Sequence, residues 1–304
     1  MRIGLIFNPT AQGNKARRLR RQLDSLASQC LLLPTEGPGH AEDLAERALE
    51  EGCKIVVAAG GDGTIQEVSN GMVRRADGLT QAALGILPLG TVNVMARELR
   101  IPLDFDSAWR IILRGQERVI DLPWMELQRD GEMVRRCFPA LGGVGMDARA
   151  CELVGWEMKK RSGQVAYLIA GFKAVAEELP RFRVECSGRV VESAELIMLG
   201  NGHMYGGPFD VFPHASLTDG RVDAIVAEEI KSWRAPAYAH AILTGTLPSL
   251  EGVHYIQGAS MRITPLDPEV RVPVQLDGDP MGALPAEITV EPRAMRVVAP
   301  GAGY

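Results

Sequence analysis

The run Lys54-Ile55-Val56-Val57-Ala58-Ala59 leads directly into Gly60-Gly61-Asp62-Gly63-Thr64. An apolar, β-branched run of this length reads as a buried strand. The glycines that follow free the backbone for a tight turn, and Thr64 with Glu67 has the capping-box spacing that opens a helix. Strand, glycine turn and helix start together suit an anion: backbone N–H groups converge on it and the positive end of the helix dipole faces it. Asp62 sits in the middle of that turn. A carboxylate placed there repels phosphate unless a divalent cation or a transferable proton lies between, so Asp62 argues for a nucleotide plus a metal. The plain alternative, a strand-to-helix turn whose glycines serve geometry alone, stays open. Two familiar phosphate loops are excluded. A dinucleotide fingerprint needs a glycine where Gln66 stands, and no glycine is followed by Lys-Ser or Lys-Thr at Walker spacing.

A chain of 304 residues is long for one core and typical of two domains. With 46% hydrophobic and 23% charged residues it buries a substantial core. A net charge of -5 argues against a nucleic-acid binder, which needs a basic face. The cysteines (Cys30, Cys53, Cys137, Cys151, Cys186) are scattered and form no C-x-x-C pair, as expected of reduced thiols in a cytosolic protein. The apolar run Ile3 to Phe7 is too short for a signal-peptide core. Val165 to Ala176 is interrupted by Lys173 and falls short of the roughly 20 apolar residues of a membrane span, so no segment is expected to cross a bilayer.

Residues 1 to about 122 alternate strand and helix patterns with short connections, the signature of a parallel sheet covered on both faces. Ile3 to Phe7 is the first strand, ended by Asn8-Pro9 with Gly13 soon after. Leu19, Leu23 and Leu26 mark a helix whose Arg17, Arg18, Arg20 and Arg21 read as a solvated face. Leu31 to Leu33 form a strand before Thr35, and Ala41, Leu44, Ala45, Ala48 and Leu49 a second helix. Leu84 to Leu87 then run into Pro88-Leu89-Gly90-Thr91-Val92-Asn93, a second glycine-bearing turn, with helix expected over Val94 to Leu99 and stopped at Ile101-Pro102. Two such turns at the same ends of neighbouring parallel strands make one ligand-binding crevice.

After Pro123 the pattern changes to short strands separated by Gly, Pro and Asp turns. They are expected at Met125 to Leu127, Val134 to Phe138, Phe182 to Cys186, Leu196 to Leu199, Val222 to Val226, Met261 to Ile263, Val270 to Leu276 and Ile288 to Val290. This reads as a β-rich second domain, a sandwich, interrupted by helices around Val165 to Glu178 and Pro236 to Leu243.

The ordered motifs resemble those of bacterial diacylglycerol-kinase-type lipid kinases, relatives of the sphingosine kinases. The match runs over nearly the whole chain: Asn8-Pro9; Gly60-Gly61-Asp62-Gly63-Thr64 with Glu67 and Asn70-Gly71; Leu87-Pro88-Leu89-Gly90-Thr91; Gly142-Gly143-Val144-Gly145-Met146-Asp147; Asn201-Gly202 with Tyr205-Gly206-Gly207; Asp219-Gly220; and Asp277-Gly278-Asp279. The first glycine motif alone is shared with NAD kinases and phosphofructokinases. The resemblance implies an α/β N-terminal domain of the NAD kinase/phosphofructokinase-like nucleotide-binding type (1–122, joined by a returning strand at about 293–304). It also implies a β-sandwich C-terminal domain for the lipid substrate (123–292), with the active site in the cleft between them.

Carried over position by position, Asn8, Pro9, Thr35, Gly60, Gly61, Asp62, Gly63, Thr64, Ile65, Gln66, Glu67, Gly90, Thr91 and Asn93 match ATP-binding positions. Ser216, Asp219 and Arg221 match a structural Mg2+ site to which Asp219 gives its side chain and the other two their carbonyls. Asp279 or Asp277 is the expected general base, and Asp62 the expected holder of a catalytic magnesium through water. Two positions depart from the family pattern: Asn93 is followed by Val94 where an aspartate is usual, and the late motif ends in Asp279 where glutamate is usual. The implied activity is ATP- and magnesium-dependent phosphorylation of a lipid hydroxyl, diacylglycerol first.

The implied partner is a lipid substrate at the inner face of the membrane, met by peripheral contact from a cytoplasmic protein. The apolar and basic segment Val154, Trp156, Met158 and Lys159-Lys160-Arg161 is a candidate for that contact, and an ordinary exposed helix end is the other reading of it. A homodimer is a candidate assembly, and nucleic acid is not an expected partner. Two other readings stay open: a kinase for a soluble acceptor, as in NAD kinase, and a nucleotide-binding regulator that has lost catalysis, for which Val94 is the evidence.

Overall fold

The computed structural model describes residues 2–10, 14–153 and 179–301. Gly13, the apolar and basic segment at 154–161, and the helix expected around 165–178 lie outside the described residues. The chain divides into two units, Met1–Ile120 with Arg293–Tyr304, and Asp121–Pro292.

The first unit alternates strand and helix: β1 (Ile3–Phe7), α1 (Asn14–Ala27), β2 (Leu31–Pro34), α2 (His40–Glu50), β3 (Ile55–Gly60), α3 (Asp62–Val73), α4 (Gly78–Gln81), β4 (Ala83–Pro88), α5 (Val94–Glu98) and α6 (Phe105–Arg114). The strands form a parallel sheet in the order β2-β1-β3-β4, and Val297 of the returning chain pairs in parallel with Leu84. β1 and β4 are buried along their whole length, as strands covered on both faces must be, and an all-apolar sequence without alternation is what produces them. α2 buries Ala41, Leu44, Ala45, Ala48 and Leu49 at helical spacing. α6 has no counterpart among the sequence expectations. Its start is fixed by Asp104, whose carboxylate accepts from the Ser107 N–H at 2.9 Å.

α2 and α3 approach closely at Gly71, where a Cβ would lie 2.2 Å from the Glu42 carbonyl oxygen and 2.8 Å from the Ala45 Cβ. Gly71→Val therefore forces backbone apart, with an overpacking cost of about 1–3 kcal/mol. The expected result is a melting temperature several degrees lower in a thermal scan, with the far-ultraviolet dichroism of the folded state retained.

The second unit is antiparallel. Its strands are the later part of β5 (Gln116–Arg129), β6 (Glu132–Cys137), β7 (Leu141–Gly145), β8 (Phe182–Cys186), β9 (Arg189–Ala194), β10 (Leu196–Gly200), β11 (Val222–Ala227), β12 (Val253–Gly258), β13 (Ser260–Pro265), β14 (Pro273–Leu276) and the first part of β15 (Asp279–Ala299). Two helices join them, α7 (Met146–Leu153) and α8 (Ala235–Thr244). One layer runs β12-β11-β10-β7-β14-β15, and a second runs β9-β8-β13-β15, with β6-β5 also pairing to β15. β15 serves both layers: Asp279 to Ala283 pair with β14, and Ala286 to Thr289 with β13. Val144, Ile197, Leu199, Val226, Val274 and Leu276 from the first layer meet Val184, Met261, Ile263, Ala286 and Ile288 in one core.

Three expectations are corrected here. Ile288 to Val290 and Met295 to Ala299 are parts of one strand of 21 residues. The strand expected over Val270 to Leu276 begins only at Pro273. β7, β9 and β12 were not foreseen: the glycine-rich Leu-Gly-Gly-Val-Gly of β7 lacks β-forming side chains, and its strand state comes from pairing with β10 and β14 on either side. All five cysteines are buried, and none is in a disulfide. Among the described residues no helix is long and apolar enough to cross a membrane.

Candidate functional site

Because β1, β2, β3 and β4 are parallel and in register, with Phe7 opposite Pro34 and Ala59, and Gly60 opposite Pro88, their C-terminal ends share one edge. That edge gathers Asn8 and Pro9 after β1, Thr35 after β2, Gly60 to Asp62 after β3, and Leu89 to Thr91 after β4. The Gly60 carbonyl accepts from the N–H groups of both Leu89 (2.9 Å) and Gly90 (3.1 Å), and the Phe7 carbonyl accepts from Thr35 N–H at 2.8 Å. Asn8 closes a side-chain turn, its Oδ1 accepting from the Thr10 N–H and hydroxyl, each at 2.8 Å.

Glycines are required where the two turns touch. A Cβ on Gly60 would lie 2.1 Å from the Thr64 hydroxyl oxygen, and a Cβ on Gly90 only 2.5 Å from the Gly61 Cα. Asn93, buried and at φ 56°, donates from Nδ2 to the Gly90 carbonyl at 2.7 Å, in the left-handed conformation that asparagine tolerates.

Asp62 clasps the two turns together. Its Oδ2 accepts from Val94 N–H at 3.0 Å and its Oδ1 from Met95 N–H at 3.1 Å, the first amides of α5. Burial pushes its pKa up, and the amides of Met95 and Val94 pull it back down. Asp62→Asn keeps one acceptor but turns an amide NH2 toward a backbone N–H. We expect melting temperature and nucleotide affinity to fall together, measured by thermal scan and calorimetry. Val94 itself is 2% exposed, with its side chain in the core.

The capping box is not formed. α3 starts at Asp62, and Glu67 instead accepts from the Ala41 N–H at 3.3 Å, in the first turn of α2. Ile65 and Gln66 are buried, while Thr91 is exposed. Sequence reasoning missed two cations. Lys15 Nζ donates to the Pro88 carbonyl at 3.2 Å, and burial first and then the charge of Arg97 lower its pKa. Arg97 in turn donates to the Val92 carbonyl at 2.9 Å. A lysine six residues after Pro9 was the available signal, hidden among the arginines of α1.

The second unit carries the other candidates. Asp277 and Gly278 form the two-residue turn between β14 and β15, with φ of 49° and 85° as a twisted hairpin demands. Hairpin tips are ordinarily exposed, yet Asp277 is 6% exposed. Its Oδ1 accepts from Ala140 N–H (3.1 Å) and Leu141 N–H (2.9 Å), and its own N–H donates to the Leu141 carbonyl at 2.8 Å. Asn201 steadies that segment from the other side, donating to the Pro139 carbonyl at 2.9 Å. Asp279, two residues on, is exposed.

Asp147, Tyr205 and Gln275 form a buried polar network beside the turn. Tyr205 lies 2.8 Å from Asp147 Oδ2 and 3.0 Å from the Gly142 carbonyl, and Gln275 Nε2 donates to Asp147 Oδ2 at 2.8 Å. Burial pushes Asp147 up to about 6 against the pull of these two donors. Gly143 is glycine because a Cβ there would lie 1.8 Å from Asp147 Oδ2.

In the expected structural magnesium site, Asp219 Oδ1 accepts from Arg221 N–H at 3.0 Å, and the Ser216 hydroxyl lies beside that of Thr218 at 3.4 Å. Asp121 Oδ2 accepts from Gly220 N–H at 2.6 Å. Among the described residues no three His, Cys, Asp or Glu side chains are grouped as a metal site, so a cation there needs backbone carbonyls or water. Fully buried Asp223 has an Oδ2 without a hydrogen-bond partner, and its pKa is raised by burial first, with the Asp219 charge adding to the rise. Its Oδ1 accepts from the Tyr255 hydroxyl and from Gln257 Nε2 at 2.8 Å, and the oxygen donors of this site suit a hard divalent cation.

Comparison with known proteins gives this arrangement a family. Residues 2–125 match the diacylglycerol kinase catalytic domain, and residues 141–299 the YegS C-terminal NAD kinase beta sandwich-like domain. A diacylglycerol kinase of Staphylococcus aureus strain RF122 is 28% identical over 98% of this chain and 92% of its own. Another, from strain MRSA252, is 31% identical over 75% of this chain and 71% of its own. A crystal structure from Bacillus anthracis str. Sterne shares the fold, with a TM-score of 0.78 at 23% identity, covering 100% of this chain and 98% of that one. With its N-terminal α/β unit, its C-terminal β-sandwich and these matches across both, the chain belongs to the diacylglycerol kinase family.

Proposed function

We propose that the protein is an ATP- and magnesium-dependent lipid kinase whose acceptor is a lipid hydroxyl, diacylglycerol first, acting from the cytoplasmic side by peripheral contact with the membrane. The observation that carries this reading is the single sheet edge that gathers Asn8, Thr35, two clasped glycine turns, and the cations Lys15 and Arg97. Phosphoryl transfer needs a phosphate cradle, a cation to offset charge and a base for the acceptor proton. The backbone N–H groups of the Gly60 and Gly90 turns, with Lys15 and Arg97, serve the phosphates. Asp62 holds the two turns in register through one amide on each oxygen, and the acceptor site left on each oxygen suits a magnesium-bound water.

In the second unit, exposed Asp279 takes the proton from the acceptor hydroxyl, while Asp277 anchors the turn that presents it. Magnesium, when bound, offsets phosphate charge. Asp219, with carbonyls of Ser216 and Arg221, fits a structural ion. The lipid acceptor rests on the names of the relatives, which are diacylglycerol kinases.

The test is incubation with γ-labelled ATP and magnesium, in parallel with total bacterial lipid and with a soluble extract. Label in the lipid fraction is expected. Label in a soluble product instead would identify the soluble-acceptor kinase, and nucleotide binding without transfer to either fraction would identify a regulator.

A further inference from the structure

A buried carboxylate stands two hydrogen bonds from the turn that carries the candidate base, and nothing in the phosphate chemistry calls for it. Asp147 lies at the start of α7, where its Oδ2 faces the Tyr205 hydroxyl at 2.8 Å and accepts from Gln275 Nε2 at 2.8 Å. The same Nε2 lies 3.0 Å from the Tyr205 oxygen, and Gln275 Oε1 accepts from Gly278 N–H at 2.8 Å. Gly278 is the second residue of the turn that starts β15 and immediately precedes Asp279. We propose that Asp147 is a positioning residue which, through Tyr205 and Gln275, locks the Asp277-Gly278 turn in the geometry that presents Asp279. The inference rests on the kinase reading for its effect on turnover, but not for its effect on the turn.

The physical argument turns on the two ends of one amide. An ionised carboxylate only accepts, so it selects the Nε2 end of Gln275 and leaves Oε1 to meet the Gly278 N–H. A neutral partner that can both donate and accept removes that choice. Gln275 can then turn over, setting an NH2 against the Gly278 N–H and releasing the turn.

The ionised form is held at a cost. Burial raises Asp147 from 3.8 to about 6, so its contribution to stability is full below the lower value and is lost as pH rises through the upper one. A group that lowers stability at neutral pH points to function more than to folding. Among the described residues Tyr205 and Cys151 are the titratable groups of this network. The strands packed on α7 (β7, β10 and β14) carry no charged side chain, and Arg149 and Glu152 of α7 pair with each other at 3.3 Å.

The test is Asp147→Asn, read by hydrogen exchange at the Gly278 amide, turnover, nucleotide affinity and melting temperature, at pH values on either side of about 6. In the parent protein, Gly278 protection and turnover are expected to fall together as pH drops through that value. In the variant, protection and turnover fall by about tenfold above it, the loss of roughly one hydrogen bond's preference, and the pH step disappears. ATP affinity stays unchanged, and the melting temperature at the higher pH is no lower than the parent's. Gln275→Met, which keeps the volume and removes the acceptor for Gly278, gives the same loss of protection and serves if Asp147→Asn does not fold. Unchanged Gly278 protection in these variants overturns the proposal, whether or not label is transferred. Lost protection in a protein that phosphorylates no acceptor upholds the wiring and removes the kinase reading alone.

Discussion

Asp279→Asn lowers kcat for phosphoryl transfer by about 10²–10⁴-fold, the usual contribution of a positioned base, and leaves the ATP dissociation constant unchanged. A neutral amide cannot take the acceptor proton, and Asp279 has no part in the turns that form the phosphate edge. Its exposure at the head of β15 also leaves room for one more methylene, so Asp279→Glu is expected to retain or raise turnover. Asp277→Asn distinguishes the rival assignment. Asp277 is buried and accepts two backbone amides from the Ala140–Leu141 segment, so its replacement is expected to lower melting temperature and turnover together. Single-turnover kinetics in which Asp277→Asn loses the chemical step at full stability, while Asp279→Asn does not, would move the base to Asp277.

Gly90→Val weakens nucleotide binding. The new Cβ would sit 2.5 Å from the Gly61 Cα and 2.8 Å from Asn93 Oδ1, and the first of these contacts is with backbone, which no rotamer change relieves. The turns after β3 and β4 must separate, breaking the bonds from Leu89 and Gly90 to the Gly60 carbonyl and drawing α5 away from Asp62. Overpacking of this kind costs about 1–3 kcal/mol, which spent on the phosphate edge corresponds to a loss of affinity on the order of tenfold to a hundredfold. Calorimetric titration with ATP and magnesium measures it. Gly61→Val is expected to be milder: Gly61 is in extended backbone at φ -98°, and a Cβ there would meet the Gly90 Cα at 3.4 Å. An affinity equal to the parent's in Gly90→Val would remove the two-turn cradle from the nucleotide site.

Periodicity and composition alone determined the parallel α/β unit. A short β-branched run such as Ile55 to Ala59, followed by glycines, reads as a strand buried on both faces, and the helical spacing in Ala41 to Leu49 as a helix that covers it. The glycine turns were equally legible, because a strand that runs into Gly60-Gly61 or Pro88-Leu89-Gly90 has few backbone options. The β-rich character of the second half was legible from its turns, but β7 was not. A strand of Leu-Gly-Gly-Val-Gly exists because β10 and β14 supply its partners, and those lie more than 50 residues away in sequence.

Tertiary structure decided the side-chain assignments for the same reason. Thr64 and Glu67 have the spacing of a cap, yet α2 offers Glu67 an unpaired Ala41 amide and wins it. Asp62 reads in sequence as the holder of magnesium through water, and only the tertiary structure shows that each of its oxygens also accepts an amide, from Val94 and Met95, 32 and 33 residues on. Asp277 and Asp279 are equivalent carboxylates in a tripeptide. Docking of the hairpin tip on Ala140 and Leu141 buries the first and leaves the second exposed. Local sequence fixes what a residue can donate or accept, but which partner it meets depends on long-range packing.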